Sequence, residues 1–367
     1  MVTRMDKQDL FVIYGRDARR MTLDLLEQIR PEVGLAKTAR IGIKPNLVVA
    51  KPAETGATTH PELVAGILAY FQGKGFDNLV ILEGSWVGDQ TSRAFRTCGY
   101  EDLARRFRVP LIDLQRDTDR MCSGDGMQIA VCEQVLQLDY LVNVPVLKGH
   151  CQTGMTCALK NLKGCIPNRE KRRFHSLGLH RPIAALNAIV RQDLILVDGL
   201  CGDLNFEEGG HPVAMNRIIA ARDPVLADSF VASLMGFSND EIEYIGFAEA
   251  MGVGSADLSR ARITALNDDL GTSKLPKIRS LGTLTRLIAD LDACSACYGS
   301  LVHALERLRE HGTLGTIRQP LRIGQRYKGQ SCDGIGIGSC TAGCARHLPG
   351  CPPDARSIVR FLENLPD

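Results

Sequence analysis

The sequence predicts an α/β fold with a mostly parallel sheet, helices on both faces of that sheet, and a small cysteine-rich module at the C-terminus. Short apolar runs alternate with longer amphipathic stretches over residues 1–285, as in buried parallel strands joined by helices. The 367-residue chain exceeds the usual size of one hydrophobic core, and six of its 13 cysteines follow residue 290. We therefore predict an α/β domain over residues 1–285 and a cysteine-rich module over residues 286–367.

The elements follow from the lengths of the apolar runs. Runs of three to five residues are too short for helices and are almost entirely apolar, which predicts strands buried on both faces. The longer stretches between them have helical periodicity and predict the connecting helices. The predicted strands are 11–14, 41–43, 79–82, 141–145 and 194–197, and the clearest predicted helices are 61–71 and 183–190.

Polar residues stand directly after four of these strands. Ligands of open α/β sheets bind beyond the carboxyl ends of the strands, so these residues are candidates for a shared pocket. The alternative is that each ends its strand in a solvated turn. With Lys160 from the next segment, the candidate catalytic residues are Lys44, Glu83, Lys148, His150, Lys160 and Asp198, and His60 is a further acid/base candidate.

The segment 148–163 is the densest in polar residues. A helix starting at Gly154, with Thr153 as its cap, would offer free amides to a phosphate or carboxylate. Lys148 and Lys160 would add positive charge to such a site. The alternative is a capped helix with exposed lysines. The basic run 168–175 that follows is predicted to be a surface loop or lid.

Composition narrows the class of protein. Lys and Arg total 44 against 42 Asp and Glu, a net charge of +2, which gives no electrostatic basis for binding nucleic acid or an anionic membrane. The N-terminal residues do not resemble a signal peptide, and no apolar run is long enough to span a membrane. We expect a cytoplasmic protein whose clustered thiols bind metal or carry out redox chemistry, without structural disulfides.

Motifs over residues 10–260 resemble the domain-of-unknown-function 362 family. They occur in the family's order and are Ile43-Lys-Pro-Asn-Leu47, Thr58-Thr-His-Pro-Glu62, Glu83-Gly-Ser85, Val144-Pro-Val-Leu-Lys148 with His150, Ala158-Leu-Lys-Asn-Leu-Lys-Gly164, Val197-Asp-Gly199, and Asp223-Pro-Val with Asp228. The resemblance implies a cytoplasmic protein, often linked to an iron–sulfur module, without an agreed reaction. The ferredoxin-type cysteine run of many members is missing from this sequence.

The C-terminal segment carries a second, shorter resemblance. It contains a Cys-x2-Cys pair, then Gly-Ser-Cys, then Pro-Gly-Cys-Pro-Pro and an amphipathic stretch over 355–362. This ending is similar to the cluster-binding ending of nickel–iron hydrogenase small subunits and of the corresponding subunit of respiratory NADH dehydrogenase. The resemblance implies a 4Fe–4S cluster held by Cys294, Cys297, Cys340 and Cys351. Cys344 and Cys332 are competing ligands.

Other uses of these cysteines stay open. Zinc accepts four thiolates, although structural zinc sites usually combine two tight pairs and only one is present here. Cys294 and Cys297 could also form a redox dithiol, since the predicted helix 298–309 would lower the pKa of the first thiol. The seven remaining cysteines are expected to fill the core, and Cys151, Cys157 and Cys165 lie near enough to the dense segment to line the pocket.

Two functions are compatible with the pattern. In the first, the protein is an iron–sulfur oxidoreductase that binds a small anionic substrate in the α/β domain and receives electrons from the cluster. In the second, it is a non-catalytic electron carrier or maturation protein that passes electrons or a cluster to a redox partner. A structural zinc protein is a third reading. No dinucleotide or NTP motif is present, and the sequence does not specify a flavin, a substrate or an oligomeric state.

Overall fold

The computed structural model describes residues 5–271, 275 and 282–365. The chain divides into two compact units. The first unit consists of Met1–Lys171 and Leu179–Ile278, and the second consists of Arg172–Gly178 and Arg279–Asp367.

The first unit is built on one eight-stranded sheet with two small hairpins. Its strands are β1 (Asp9–Tyr14), β2 (Ile41–Pro45), β3 (Leu79–Glu83), β4 (Leu111–Asp113), β5 (Asp119–Gly124), β6 (Met127–Cys132), β7 (Tyr140–Val144), β8 (Lys148–His150), β9 (Gly154–Thr156), β10 (Leu194–Asp203), β11 (Pro212–Ala221) and β12 (Arg262–Ala265). The order in the large sheet is β12-β1-β11-β10-β7-β2-β3-β4, while β5 pairs with β6 and β8 with β9. Only β11 runs against its neighbours in that sheet. The predicted mostly parallel sheet is confirmed.

Helices connect these strands. They are α1 (Ala18–Ile29), α2 (Pro61–Gly73), α3 (Thr91–Thr97), α4 (Tyr100–Phe107), α5 (Glu133–Leu136), α6 (Ala158–Asn161), α7 (Asn168–Ser176), α8 (His180–Ile189), α9 (Pro224–Met235) and α10 (Glu243–Ala250). Helices α2 and α9 each begin with a proline directly after a capping side chain, because proline has no N–H to leave unpaired and its φ suits the first turn. Helix α7 begins in the first unit and ends in the second.

The core lies on both sides of the large sheet. Every residue of β2, β3 and β7 is buried, so both faces of these strands are covered. One face packs under α1, α2 and α4, where Leu25, Leu68 and Phe71 are fully buried. Polar side chains at the carboxyl ends of the strands are therefore held in a rigid, water-poor surrounding.

The second unit contains a small sheet in which all four strands are parallel. Its elements are α11 (Gly282–Thr285), β13 (Ile288–Asp290), α12 (Ser295–Glu310), β14 (Leu321–Ile323), β15 (Cys332–Ile337), β16 (Cys344–Leu348) and α13 (Ala355–Glu363). The strand order is β13-β14-β15-β16. Helix α12 links β13 to β14, so its first turn lies at the edge where the parallel strands end.

The predicted strands and the predicted helices 61–71 and 183–190 lie where the sequence placed them, but the segment 168–175 differs. It was predicted to be a loop or lid, and it forms helix α7. Its buried residues recur at helical spacing: Glu170, Lys171 and Phe174 are buried, while Arg169 and Arg172 are more exposed. The basic composition hid this helical periodicity.

Candidate functional site

The sheet edge of the first unit brings together the predicted residues of β2 and β3. Lys44 Nζ donates to Glu83 Oε1 at 2.9 Å, and the two side chains are 0% and 3% exposed. The other oxygen of Glu83 accepts from the backbone N–H of Leu47 at 2.9 Å. Lys44 also contacts the amide oxygen of Asn161 at 3.4 Å. This buried ion pair therefore has its hydrogen bonds within the fold.

A second group gathers around a glutamate that the sequence analysis missed. Lys160 Nζ donates to Glu207 Oε2 at 3.0 Å, and His150 Nε2 lies 3.0 Å from the same oxygen. Lys148 Nζ donates to the backbone oxygen of Glu207 at 2.8 Å and to Asn46 Oδ1 at 3.1 Å. Lys148, His150, Lys160 and Glu207, all buried, are called the Glu207 cluster below.

Hydrogen bonds from the backbone determine which ring nitrogen of His150 carries the proton. His150 Nδ1 accepts the N–H groups of Gln152 and Thr153, both at 3.1 Å, so this nitrogen carries no proton. The proton of the neutral ring is therefore on Nε2, which faces Glu207. Burial lowers the pKa of His150 to about 4, so the ring is neutral at neutral pH.

Burial also changes the charges of the neighbouring groups. It lowers the pKa of Lys148 to about 7. Burial opposes the ionisation of Glu207, but His150 and Lys160 outweigh it and hold the pKa of this carboxyl well below its ordinary value. For Glu208, burial and, to a smaller extent, the charge of Glu207 raise the pKa to about 8. At neutral pH the segment thus carries an ionised Glu207 beside a largely protonated Glu208.

The side chains of Asp198 and His60 accept hydrogen bonds from backbone N–H groups. Asp198 Oδ2 accepts the N–H of His60 at 2.7 Å, and its other oxygen accepts the N–H of Leu200 at 3.0 Å. His60 Nδ1 accepts the N–H of Glu62 at 3.2 Å and caps α2. Burial raises the pKa of Asp198. Both side chains hold the start of α2, and an acid/base role for them stays a prediction.

The predicted helix over 154–162 is wrong in its first half. Gly154–Thr156 forms β9, because Gly154 adopts a left-handed φ of 75° at the turn of the β8–β9 hairpin. Helix α6 starts only at Ala158, and Asp228 caps it by accepting the N–H groups of Ala158 at 2.7 Å and Leu159 at 3.2 Å. The amides expected to bind an external anion are bonded to an internal carboxylate.

Lys171 is a further buried cation that the sequence analysis missed. Its Nζ donates to the backbone oxygens of Gly84 at 2.9 Å and Ser85 at 2.7 Å, just after β3. Burial lowers its pKa to about 8. The expectation that the scattered cysteines fill the core is met by Cys157 and Cys165, which are fully covered and whose thiol pKa burial raises, but Cys122, Cys151 and Cys201 are only partly buried. Burial likewise raises the pKa of Cys151.

In the second unit, the strand register aligns two of the predicted cluster ligands. Ile337 of β15 pairs with Leu348 of β16 in a parallel register. Cys340 and Cys351 each lie three residues beyond this pair, at the same edge of the sheet. The turns that carry them are tied together, since Ser339 N donates to Gly350 O at 2.8 Å and Gly350 N donates to Ser339 Oγ at 3.1 Å.

The other two predicted ligands come from the start of α12. Cys294 is the residue before the helix and Cys297 lies in its first turn. A Cβ placed on Gly338 would lie 3.7 Å from the sulfur of Cys297, so this turn of the sheet edge approaches α12 directly. Cys294, Cys297, Cys340 and Cys351, called the four-cysteine group below, thus lie at the carboxyl edge of the small sheet.

The thiols of this group influence one another's pKa. Burial raises the pKa of Cys297, and the three other thiols of the group raise it further because nearby negative charges disfavour a thiolate. Burial also raises the pKa of Cys340, Lys328 and Arg172 oppose that rise, and Cys351 adds to it. The group is therefore electrostatically coupled, with two cations of the same unit beside it.

The competing ligands are joined to each other. Cys332 and Cys344 are paired across β15 and β16 and form a disulfide, with sulfurs 2.04 Å apart. The expectation that the clustered thiols form no structural disulfide is wrong for this pair. As a disulfide, neither sulfur is a thiolate that could bind metal. This leaves the four-cysteine group as the set of C-terminal cysteines that carry thiols.

Among residues 5–271 and 282–365, no three His, Cys, Asp or Glu side chains have the arrangement of a site for one metal ion. Over the same part of the chain, no helix is both long and apolar enough to cross a membrane.

The chain belongs to the Domain of unknown function (DUF362) family, whose model matches residues 41–233. The predicted family is confirmed, and the match ends before the cysteine-rich module, so the likeness of that module to hydrogenase small subunits stays a prediction. The chain is 23% identical over 224 residues to a thylakoid-associated protein of Synechocystis sp., covering 58% of this chain and 68% of that protein.

The fold has also been compared with solved structures. The lactate racemase apoprotein from Thermoanaerobacterium thermosaccharolyticum aligns with a TM-score of 0.41 and 14% identity, over 65% of this chain. The chain spans 58% of the length of that racemase.

Proposed function

We propose that this protein is an iron–sulfur protein whose 4Fe–4S cluster is held by Cys294, Cys297, Cys340 and Cys351 and serves in electron transfer. The observation that supports the proposal is that the four cysteines, carried by a helix start and by the turns after two strands, all lie at the carboxyl edge of the small sheet. Cysteine thiolates are the usual ligands of such a cluster.

The surroundings of the four-cysteine group fit a cluster. Four thiolates bring four negative charges, which the iron of a cluster offsets, and Arg172 and Lys328 favour the thiolate of Cys340. Gly338 and Gly350, with φ of 90° and 142°, stand directly before the two ligand turns in backbone conformations that other residues rarely adopt. A bound cluster would supply one-electron transfer.

The buried cations of the first unit support a second, narrower function. Lys148 and Lys160 lie with His150 at the carboxyl edge of the large sheet, which is where α/β folds bind small ligands. Electrons from the cluster would then serve a reductive reaction on a small anionic substrate. Lys148, Lys160 and His150 would bind and orient the anion, and Nε2 of His150 would donate a hydrogen bond. The free thiols of the chain favour a reducing compartment such as the cytoplasm, where the Cys332–Cys344 disulfide would have to persist against reduction.

Anaerobic reconstitution tests the cluster. Wild type should show EPR of a reduced cluster after dithionite treatment, while Cys294→Ala and Cys351→Ala should lose that signal. Cys201→Ala is the matched control, since this half-buried thiol lies on β10 in the first unit. An unchanged signal in both ligand variants would reject this ligand set. Zinc binding without any EPR signal would reject the redox function.

A further inference from the structure

The segment 204–211 forms a compact loop that places Glu207 in its cluster. Asp203, at the end of β10, holds both ends of the loop: its Oδ1 accepts the N–H groups of Asn205 at 2.9 Å and Phe206 at 3.0 Å, and its Oδ2 accepts that of His211 at 2.9 Å. Gly209 and Gly210, with φ of 70° and 133°, allow the backbone to turn back toward β11. The loop is also tied to the segment before α2, since Gly210 N donates to Thr55 O at 3.1 Å and Lys51 Nζ donates to Glu208 O at 2.8 Å.

The carboxylate of Glu207 is bound as an external anion would be. It comes from a loop and meets cationic or N–H groups of two other elements, His150 of β8 and Lys160 of α6. The receiving side chains keep other partners that do not belong to the loop. His150 is held by two backbone amides, Lys148 by Asn46, and Lys160 lies 3.3 Å from Thr156 Oγ1. The receiving site is therefore positioned independently of the loop.

We propose that Lys148, His150 and Lys160 form a binding site for a small carboxylate ligand, and that Glu207 occupies the place of that ligand while the segment 204–211 is closed. Ligand binding then requires the loop to move outward, and the ligand carboxylate replaces that of Glu207 on Lys160 and His150. The inference rests on the anion-binding half of the proposed function and not on the cluster.

The charges favour a carboxylate over a phosphate. The native occupant is one carboxylate, whose oxygen faces one lysine and one neutral imidazole N–H. A singly charged planar group keeps this balance, whereas a dianionic phosphate would add a second buried negative charge. Lys148, which donates to the backbone oxygen of Glu207, gains a free donor when the loop leaves. It would then contact the second oxygen of the ligand.

Gly149 offers a way to open the loop without changing a charge. A Cβ at this position would lie 2.3 Å from Leu204 O and 2.7 Å from Asn205 N, which is backbone of the loop and cannot give way by a rotamer change. Gly149→Ala should therefore displace the segment while leaving Lys148, His150, Lys160 and Glu207 in the sequence. Gly73→Ala is the matched control, because a Cβ there meets no atom within 4 Å.

The probes are acetate and inorganic phosphate, titrated calorimetrically on the full chain, with hydrogen exchange of 204–211 followed by mass spectrometry. In wild type, acetate should raise the exchange of the segment, because the ligand selects the open state. Gly149→Ala should bind acetate about tenfold more tightly than wild type or Gly73→Ala, since less opening is required. Adding Lys160→Met to Gly149→Ala should abolish that binding.

Each other outcome overturns the inference. Faster exchange of the segment in Gly149→Ala without tighter acetate binding would show that no carboxylate site lies beneath it. Tighter binding of phosphate than of acetate would reject the ligand class. If the segment stays closed in Gly149→Ala, Glu207→Ala replaces it, and failure of that variant to bind acetate in a Lys160-dependent way rejects the site. The iron content of the same samples reports on the cluster separately.

Discussion

The two units hold their reactive groups in opposite ways. In the first unit, the cations at the sheet edge are buried against partners from the same fold: Lys44 faces Glu83, and Lys160 faces Glu207. In the second unit, four thiols that would carry like charges once deprotonated lie at one sheet edge, where Cys351 is exposed. In the first unit, each of these cations has an anionic partner. In the second unit, thiolates would repel one another unless a positively charged group bound to them.

This difference indicates how each unit meets a ligand. The first unit must exchange an internal partner for a ligand, so binding is coupled to movement of the segment 204–211. In the second unit, a cluster would draw together four cysteines that lie at one sheet edge, at the start of α12 and in the turns after β15 and β16. Substitutions that break internal pairs should therefore destabilise the first unit, whereas substitutions in the four-cysteine group should remove a cofactor.

Lys44→Met should have the largest effect on stability. It leaves the Glu83 carboxylate buried without its cation, which costs about 3–5 kcal/mol when one partner of a buried ion pair is removed. Denaturant unfolding followed by fluorescence measures the change in the free energy of unfolding. Lys74→Met is the matched control, because its pair with Glu27 is partly exposed and contributes no more than about 1 kcal/mol. Equal losses of unfolding free energy in the two variants would mean that the buried pair contributes no more to stability than the exposed one.

Replacing both disulfide cysteines should destabilise the second unit but spare the cluster. The double variant Cys332→Ser/Cys344→Ser loses a cross-link between β15 and β16, for which about 2–4 kcal/mol is typical. Thermal unfolding under oxidising and reducing conditions measures this loss. The iron content after reconstitution should equal that of wild type. A cluster-free double variant would mean that one of these cysteines is a ligand, and it would contradict the separation of the two cysteine sets.

Asp228→Asn should change the pH dependence of stability. Burial raises the pKa of Asp228 to about 7, so the folded protein holds this proton more tightly than the unfolded chain, where an aspartate titrates near about 4. The stability that this group contributes is complete below the unfolded value and is lost as the pH rises toward 7. The variant also weakens the cap of α6, at a cost of about 1–3 kcal/mol at low pH.

Chemical denaturation of wild type and Asp228→Asn at several pH values between 4 and 8 tests this expectation. The difference in the free energy of unfolding should be largest at the acidic end and should shrink as the pH rises. A difference that is constant over this range would mean that Asp228 titrates alike in the folded and unfolded chain, and that its role is capping alone.

The sequence was sufficient for the parts of the fold that depend on local patterns. Apolar runs located β1, β2, β3, β7 and β10, and the Cys-x2-Cys pair marked the start of α12. The family motifs also identified residues that meet in space, such as Lys44 with Glu83. These features are visible because each depends on neighbouring residues or on one edge of a parallel sheet.

The parts that could not be predicted depend on contacts between distant segments. Asp228 caps α6 from a helix 70 residues further along the chain, so no local signal marks it. Glu207 follows the unexpected extension of β10 to Asp203, although the acidic pair before Gly209 and Gly210 was a visible clue to a polar loop. The Cys332–Cys344 disulfide depends on the register of β15 and β16, which cysteine spacing does not specify.

The most direct test of the central claim is the metal and sulfide content of the wild-type chain, purified under anaerobic conditions. The proposed 4Fe–4S cluster predicts about four irons and four sulfides per chain, with no stoichiometric zinc. One zinc per chain without iron or sulfide would instead assign the four-cysteine group to a structural metal site, and it would contradict the proposed role in electron transfer.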